Sequence, residues 1–194
     1  NGVGAHEVVI EAPEHTATLG QLSEKQIEQV LWAFRDRILD LKKDIRLNYI
    51  LIFKNHGESA GSNLEHCHSQ LIALPVVPKR VREELDGAKR YFDFKERCIF
   101  CDIARQETET GARSLLETDH HLAFAPYASR FPFETWILPR RHHSHFELAD
   151  PPAIQNLAWV LRAVMRKIDK VLEKPAYNLM IHSAPIQEGS MAHY

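Results

Sequence analysis

Polar side chains alternate in one short segment of the sequence, residues 66–70, which reads His-Cys-His-Ser-Gln. Apolar stretches precede and follow it, so the segment has the setting of a β-strand. Alternation along a strand would point His66, His68 and Gln70 to one face. Three polar groups buried together without partners cost free energy, so we favour a functional cluster over a solvated strand with incidental histidines. Neutral imidazole is nucleophilic at physiological pH, so nucleophilic chemistry is compatible with such a cluster.

The cysteines offer a second chemistry. Cys98 and Cys101 have the two-residue spacing of a zinc knuckle. A redox-active pair is one alternative, although no thioredoxin-like βαβ pattern surrounds these residues, and a chance pair is the other. Cys67 alternates away from its two histidine neighbours, so we expect it to be packed rather than reactive. An odd count of three cysteines is a poor disulfide framework and fits a reducing cytoplasm.

Two long amphipathic helices are predicted, over residues 24–43 and 152–173, from the periodicity of their apolar residues. Ser23 and Gln26 can form a capping box for the first helix, and Asp150 followed by two prolines suits the start of the second. A single register relates the two regions, and it pairs Ile27 with Ile154, Trp32 with Trp159, Glu7 with Glu134 and His15 with His142. Internal duplication explains this register better than the general likeness of amphipathic helices.

The duplication predicts an α+β fold of two repeats, each an antiparallel sheet with one long helix. Residues 1–78 would form the first repeat, residues 79–97 a connecting helix and residues 98–194 the second repeat. Residues 106–113 read as a polar loop that contains a glycine. Some features of each repeat map before residue 1 or beyond residue 194 when transferred to the other. We therefore expect this sequence to be a fragment of a longer two-repeat protein.

Charge and hydropathy exclude two classes of partner. The chain has 194 residues and a net charge of −2, with a pI near 6.7 and with basic and acidic residues interspersed. Such a surface argues against general binding to nucleic acid or to an anionic membrane. In addition, no apolar run in the sequence approaches the length that a bilayer span needs.

The segment that begins at Asn55 carries a longer pattern: Asn-x-Gly, a loop of small residues, and then His-x-His-x-Gln-x-x-x-x-Pro. This pattern resembles the active-site signature of the galactose-1-phosphate uridylyltransferase family, a branch of the histidine-triad superfamily. The likeness extends over nearly the whole chain, from the turn at residues 12–15 to residues 181–185. It implies two histidine-triad-like repeats and, as in the family, a homodimer.

By that resemblance, His68 attacks the α-phosphorus of a nucleotide sugar, forms a covalent nucleotidyl-histidine and releases sugar 1-phosphate. A second sugar 1-phosphate, or phosphate itself, then takes the nucleotide, as in a uridylyltransferase. An ADP-sugar phosphorylase is the alternative within the same chemistry. A zinc-stabilised nucleotide-binding module without turnover is the alternative of another class. A nucleotide hydrolase is a third alternative, which Gln70 disfavours.

The resemblance also assigns the contacts with substrate. In the hydrolytic branch of the histidine-triad superfamily, a third histidine occupies the position of Gln70. A glutamine cannot deliver a proton, but its amide can hold a phosphate oxygen. This favours a long-lived covalent intermediate over rapid hydrolysis. Backbone amides of residues 57–62 are expected to cradle phosphate as well. The further candidates are Asn55, Gly57, Ser62, Asn63 and Ser69. Asn63 departs from the family, which usually carries serine three residues before the first histidine.

The same resemblance completes a metal site in the second repeat. Family members with two zinc ions pair the two cysteines with a histidine on the following turn. That histidine is His142 in this sequence, and His143 and His145 lie close enough to compete for the role. We therefore expect zinc at Cys98, Cys101 and His142.

In the first repeat, the equivalent ligands by resemblance are His15 and His66. The two cysteines that would complete their site would precede residue 1. Some family members hold iron instead, through a glutamate and three histidines, and Glu84 and His182 match two of those positions. The visible cysteine pair favours the zinc version.

Overall fold

The computed structural model describes residues 2–15 and 18–194, and this part of the chain forms four α-helices and seven strands. The strands are β1 (Ala5–Ile10), β2 (Tyr49–His56), β3 (His68–Leu74), β4 (Ser114–Glu117), β5 (His121–Phe124), β6 (Trp136–Pro139) and β7 (Tyr177–Ile181). The helices are α1 (Glu24–Leu41), α2 (Lys79–Lys95), α3 (Ile99–Thr110) and α4 (Pro151–Val171). Every strand pairing is antiparallel, which confirms the α+β class.

The two long helices begin where their capping residues predict. The Ser23 hydroxyl accepts from the Gln26 amide at 3.2 Å, and the Gln26 side chain accepts from the Ser23 amide at 2.9 Å. The Asp150 carboxylate accepts from the Ala153 amide at 2.9 Å, directly before the two prolines of α4. These bonds satisfy amides that the first turn of a helix leaves without partners.

The two sheets do not coincide with the two repeats, which the sequence did not predict. One sheet has the strand order β1-β3-β2-β7, and the other has the order β4-β5-β6. Strand β7 belongs to the second repeat by sequence, yet it pairs with β2 of the first repeat, with Asn178 opposite Asn55. The sheet that carries the first repeat is therefore completed by a strand from the second.

The four-stranded sheet has one covered face and a second face, which we call the open face, that is covered only in part, where Tyr49 and Leu51 of β2 pack against α2. Leu71 of β3 is fully buried in the main core, which α1 and α4 complete. On the open face, the β1 partners of His68 and Gln70 are Ile10 and Val8. These two apolar side chains are 56% and 49% exposed. Alternation therefore brings His68 and Gln70 to this same face, as the sequence predicted for them, and His68 is buried there. His66, predicted to share the face, precedes the start of β3.

One local prediction was wrong. Residues 106–113 were expected to form a loop, but α3 continues to Thr110 and ends at Gly111, whose φ is +64°. The loop was predicted because these residues are polar, but polar residues can also lie in a helix when they have partners. Glu107 is buried and accepts a hydrogen bond from the Arg113 guanidinium at 2.9 Å. This pairing gives the buried Glu107 a charged partner, Arg113, which lies beyond the end of the helix.

No helix in the described ranges combines the length and the apolar character that crossing a bilayer requires.

Candidate active site and metal centre

His68 is the first residue of β3, and its imidazole is held in one orientation. Its ring is almost fully buried, with 4% of the residue exposed. The Nδ1 atom lies 2.8 Å from the carbonyl oxygen of His66. A carbonyl oxygen only accepts, so Nδ1 carries the hydrogen and Nε2 keeps its lone pair. This is the tautomer that an attacking Nε2 needs.

Gln70 lies two residues farther along β3 on the same face. Its side-chain oxygen is 2.9 Å from Nε2 of His6, an exposed residue of the neighbouring strand β1. Sequence reasoning missed His6. The alternation of β1 could have placed it on one face, but no local signal tells which residue of another strand it meets.

Asn55, near the end of β2, is fixed by the second repeat. Its side-chain oxygen accepts from the amide of Asn178 on β7 at 2.7 Å. The same Asn178 nitrogen donates to the carbonyl of Ala60 at 3.0 Å, so one side chain supports both Asn55 and the following loop. Asn178 was also missed by sequence reasoning, because its role depends on the pairing of β7 with β2.

The loop of residues 57–62 has part of its backbone amides engaged internally. Its amides at Ala60, Gly61 and Ser62 donate to carbonyls inside the loop itself, over 2.9–3.1 Å. The expected phosphate cradle therefore stays a prediction for the other amides of the loop. Gly57 is needed for another reason, since its φ is +84° and a Cβ there would lie 2.8 Å from the Cβ of Ala176.

Three other predicted contacts, Ser62, Asn63 and Ser69, lie in different surroundings. The Ser62 hydroxyl donates to the Leu64 carbonyl at 2.9 Å, and Asn63 is exposed. Ser69 is not brought to the open face at all: it is buried, and its hydroxyl donates to the carboxylate of Glu11 in the interior. The side chain of Ser69 follows the alternation of β3, which sends it to the face opposite His68.

A buried ionic network lies directly behind His68. The Lys54 ammonium donates to Glu11 at 2.9 Å and to the carbonyl of His68 at 2.9 Å, and it lies 3.4 Å from the Cys67 sulfur. The Cys67 thiol donates to the same carboxylate at 2.6 Å. Burial, and then the nearby Glu11, raise the pKa of Cys67 to about 12. The expectation that Cys67 is packed rather than reactive is confirmed.

Cys98, Cys101 and His142 come together as a candidate metal centre. Their ligand atoms all lie within 4.8 Å of one another. Cys98 is the N-cap of α3 and Cys101 lies in its first turn, so the helix start sets the spacing of the two sulfurs. The Cys101 sulfur is 3.3 Å from Nδ1 of His142, close to the separation of about 3.5 Å between sulfur and nitrogen ligands of one tetrahedral zinc ion.

The surroundings of these ligands fit a cation. The Nε2–H of His142 donates to the Met191 carbonyl at 2.7 Å, which leaves the lone pair on Nδ1, as in histidine ligands of known metal sites. Burial, and then the neighbouring Cys98, raise the pKa of Cys101 to about 11. Two adjacent thiols resist ionisation together, and a divalent cation supplies the positive charge that two thiolates require.

The competing histidines are not brought to this centre. Among the described residues, the group of possible ligands that forms contains His142 and neither His143 nor His145. His145 is buried and lies 2.8 Å from the Ser144 hydroxyl and 3.3 Å from the Pro185 carbonyl. These two contacts occupy both of its ring nitrogens.

His15 and His66 form a matching pair in the first repeat. Their Nδ1 atoms lie 3.3 Å apart, and Nε2 of His66 is 2.8 Å from the carbonyl of Ala12. The carbonyl therefore fixes the tautomer of His66 as Met191 fixes that of His142. The spacing suits two nitrogen ligands of one tetrahedral ion, for which about 3.3–3.4 Å is expected.

Glu84 and His182, the two positions that the resemblance linked to an iron site, lie in contact with each other. Nδ1 of His182 lies 3.2 Å from the Glu84 carboxylate, and the Tyr194 hydroxyl donates to that carboxylate at 2.9 Å. The hydrogen bond with Glu84 raises the pKa of His182, and this outweighs the effect of burial. Burial acts to raise the pKa of Glu84, but its hydrogen bonds with His182 and Tyr194 bring that pKa below its ordinary value.

Comparison with known families agrees with this geometry. The model for the N-terminal domain of galactose-1-phosphate uridyl transferase matches residues 1–78, and the model for the C-terminal domain matches residues 84–194. The chain belongs to the galactose-1-phosphate uridyl transferase family. The resemblance stated from the motif around His68 is therefore confirmed.

Individual members of the family resemble the chain over nearly its whole length. ADP-glucose phosphorylase of Arabidopsis thaliana is 40% identical over 186 residues, which are 96% of this chain and 52% of the relative. Galactose-1-phosphate uridylyltransferase of Thermotoga maritima is 33% identical over 192 residues, 98% of this chain and 60% of the relative. The crystal structure of an Arabidopsis thaliana ADP-glucose phosphorylase with bound ADP-glucose has a TM-score of 0.89 at 39% identity, covering 96% of this chain and 59% of that one. The chain thus spans 52–60% of the length of these relatives.

Proposed function

We propose that this chain carries the catalytic histidine of a nucleotidyltransferase, and that His68 transfers a nucleoside monophosphate through a covalent intermediate. The observation that carries the proposal is the bond from Nδ1–H of His68 to the His66 carbonyl, which leaves the Nε2 lone pair available. Nε2 attacks the α-phosphorus of a nucleoside diphosphate sugar. The bond from that phosphorus to the bridging oxygen breaks, and sugar 1-phosphate leaves with the electron pair.

The second half of the reaction reverses the first with a new acceptor. A phosphate oxygen of the acceptor attacks the phosphorus, the phosphorus–nitrogen bond breaks, and the imidazole of His68 is restored. Gln70, on the same face, is proposed to donate its amide hydrogens to a non-bridging oxygen of the nucleotide. Asn55 is proposed as a further contact, held in place by Asn178. Glutamine supplies no proton to a leaving group, so transfer is favoured over hydrolysis.

Two acceptors remain as candidates for this chemistry. In the uridylyltransferase reading the acceptor is a second sugar 1-phosphate and the base is uracil. In the phosphorylase reading the acceptor is phosphate and the donor is an ADP-sugar. The 40% identity to the Arabidopsis thaliana ADP-glucose phosphorylase, against 33% to the Thermotoga maritima uridylyltransferase, favours the phosphorylase reading.

We also propose zinc as the metal of the centre formed by Cys98, Cys101 and His142, since two sulfurs with an imidazole nitrogen are a typical zinc donor set. The ion would supply a structural cross-link between the start of α3 and the segments at His142 and Met191. The pair of His15 and His66 is proposed as part of a second zinc site. Free cysteine ligands suit a reducing compartment such as the cytoplasm. The homodimer remains an expectation based on the family.

The test is nucleotidyl labelling of the complete protein with UDP- and ADP-sugars that carry a radioactive α-phosphate. Intact mass after incubation identifies the base, and peptide mapping identifies the labelled histidine. We expect label on His68 and none in the His68→Gly variant. His120→Gly, in a turn of the other sheet, is the matched control and should label like the parent. Label on His66, or persistent label in His68→Gly, would contradict the mechanism.

A further inference from the structure

His6 is a histidine of the open face that neither the motif nor the proposed mechanism uses. It lies on β1, where Val8 is directly opposite Gln70 and His6 is directly opposite Ile72. His6 is therefore the diagonal neighbour of Gln70 on the same face, within the reach of long side chains. Its Nε2 atom lies 2.9 Å from the side-chain oxygen of Gln70.

The orientation of a glutamine amide decides whether it can bind a phosphate. One end of the amide only accepts hydrogen bonds and the other end only donates them, and a half-turn about the last bond exchanges the two. A phosphate oxygen needs the donating end. Because Nε2–H of His6 donates to the oxygen of Gln70, the NH₂ group is left free for the substrate.

We propose that His6 is a positioning residue, which keeps the donating end of the Gln70 amide directed at the nucleotide phosphate on His68. The inference rests on the proposed function and extends it by a residue outside the motif. His6 acts through Gln70 and needs no contact with the substrate.

The contacts that attach β1 to the rest of the protein come from the face opposite His6, which argues against a structural role for His6. The His6 side chain is exposed, whereas Glu7 points to the other face and accepts two bonds from the Arg37 guanidinium at 2.6 and 2.7 Å. Val9, also on that other face, packs against the main core. Removing the imidazole of His6 therefore leaves the attachments of β1 intact.

The first experiment compares rates of adduct formation for the parent, His6→Ala, Gln70→Ala and the double variant, in the complete protein with a nucleotide sugar. Loss of one hydrogen bond should lower kcat/KM for His6→Ala by about 3- to 10-fold. The double variant should be no slower than Gln70→Ala alone, because His6 has nothing left to orient. His6→Asn, whose amide can donate to the same oxygen, should recover part of the rate.

Val8→Ala is the matched control, since it lies on the same strand and face but cannot orient an amide. It should keep the parent rate, and all variants should melt within about 2 °C of the parent because His6 and Val8 are exposed and Gln70 is only partly buried. Losses that add in the double variant, or a His6→Ala variant as fast as Val8→Ala, would overturn the proposal.

The second experiment does not depend on turnover. Nitrogen-15 NMR of the His6 ring reports whether its Nε2–H is hydrogen-bonded. A free imidazole already prefers the Nε2–H tautomer, so the readout is the Nε2 chemical shift, which Gln70→Ala should move toward that of a free ring. A shift that Gln70→Ala leaves unchanged overturns the pairing, whatever the activity. A parent that shows the pairing but forms no adduct on any histidine instead overturns the proposed function, and with it the catalytic role of His6.

Discussion

Replacing Lys54 by methionine should destabilise the protein by several kcal/mol, although the two side chains have similar lengths. The Lys54 side chain is 2% exposed and that of Glu11 is 1% exposed, so the ion pair is buried on both sides. Lys54 has three hydrogens to donate, and its three neighbours are Glu11, the His68 carbonyl and the Cys67 sulfur. Methionine fills the space but removes all three donors.

The magnitude follows from what the substitution leaves behind. The carboxylate of Glu11 keeps its bonds from Cys67 and Ser69 but loses its counter-charge in the interior. Removing one partner of a buried ion pair typically costs about 3–5 kcal/mol. The double variant Lys54→Met/Glu11→Leu removes both charges and leaves two weak donors unpaired, each at about 1 kcal/mol. It should therefore be more stable than Lys54→Met alone.

The free energy of unfolding is measured by urea denaturation of the parent, both single variants and the double variant. Lys89→Met is the matched control, because Lys89 pairs with Asp93 on the surface, with exposed fractions of 60% and 58%. It should change stability by less than about 0.5 kcal/mol. The reasoning is refuted if Lys54→Met costs no more than the control, or if the losses at Lys54 and Glu11 simply add.

Two further predictions concern the second repeat. Cys101→Ser should lower the zinc content of the purified protein, measured by elemental analysis, and its melting temperature, measured by calorimetry. The reason is that structural zinc binds with energies on the order of 10 kcal/mol in small domains. An unchanged metal content would contradict the site. Burial lowers the pKa of His121, although its hydrogen bond with Asn156 acts in the opposite direction. As the pH falls below about 6.5, the unfolded chain takes up a proton that the folded chain resists, so stability falls by up to about 1.4 kcal/mol per pH unit. The His121→Gln variant should lose stability less steeply in this range, and equal slopes in urea titrations would count against this view.

The features that sequence reasoning predicted well are local ones. The starts of α1 and α4 depend on capping residues within three positions, and Ser23 and Asp150 could be read directly. The alternation that brings His68 and Gln70 to one face also lies within a single strand. In contrast, residues 106–110 are helical with Glu107 buried and paired to Arg113, a burial that the polar composition of this segment does not reveal.

The missed features all depend on which strands lie side by side. His6 meets Gln70 only through the register of β1 with β3, and Asn178 meets Asn55 only because β7 joins β2. Lys54 and Glu11 are 43 residues apart and likewise meet only in the folded sheet. The amides of Ala60, Gly61 and Ser62 pair with carbonyls of their own loop, a local geometry that composition does not specify. Which amides of this loop meet a phosphate therefore stays a prediction.

The pairing of β7 with β2 has a consequence for synthesis of the chain. A nascent polypeptide that has emerged only through β3 already carries the motif of His68, but it lacks the strand that borders β2 and the Asn178 amide that supports Asn55. Those contacts join residues more than a hundred positions apart, and such long-range pairings form late. The ribosome must therefore release most of the second repeat before the first can be completed. Until then, the open edge of β2 is a surface that a chaperone would need to protect from aggregation.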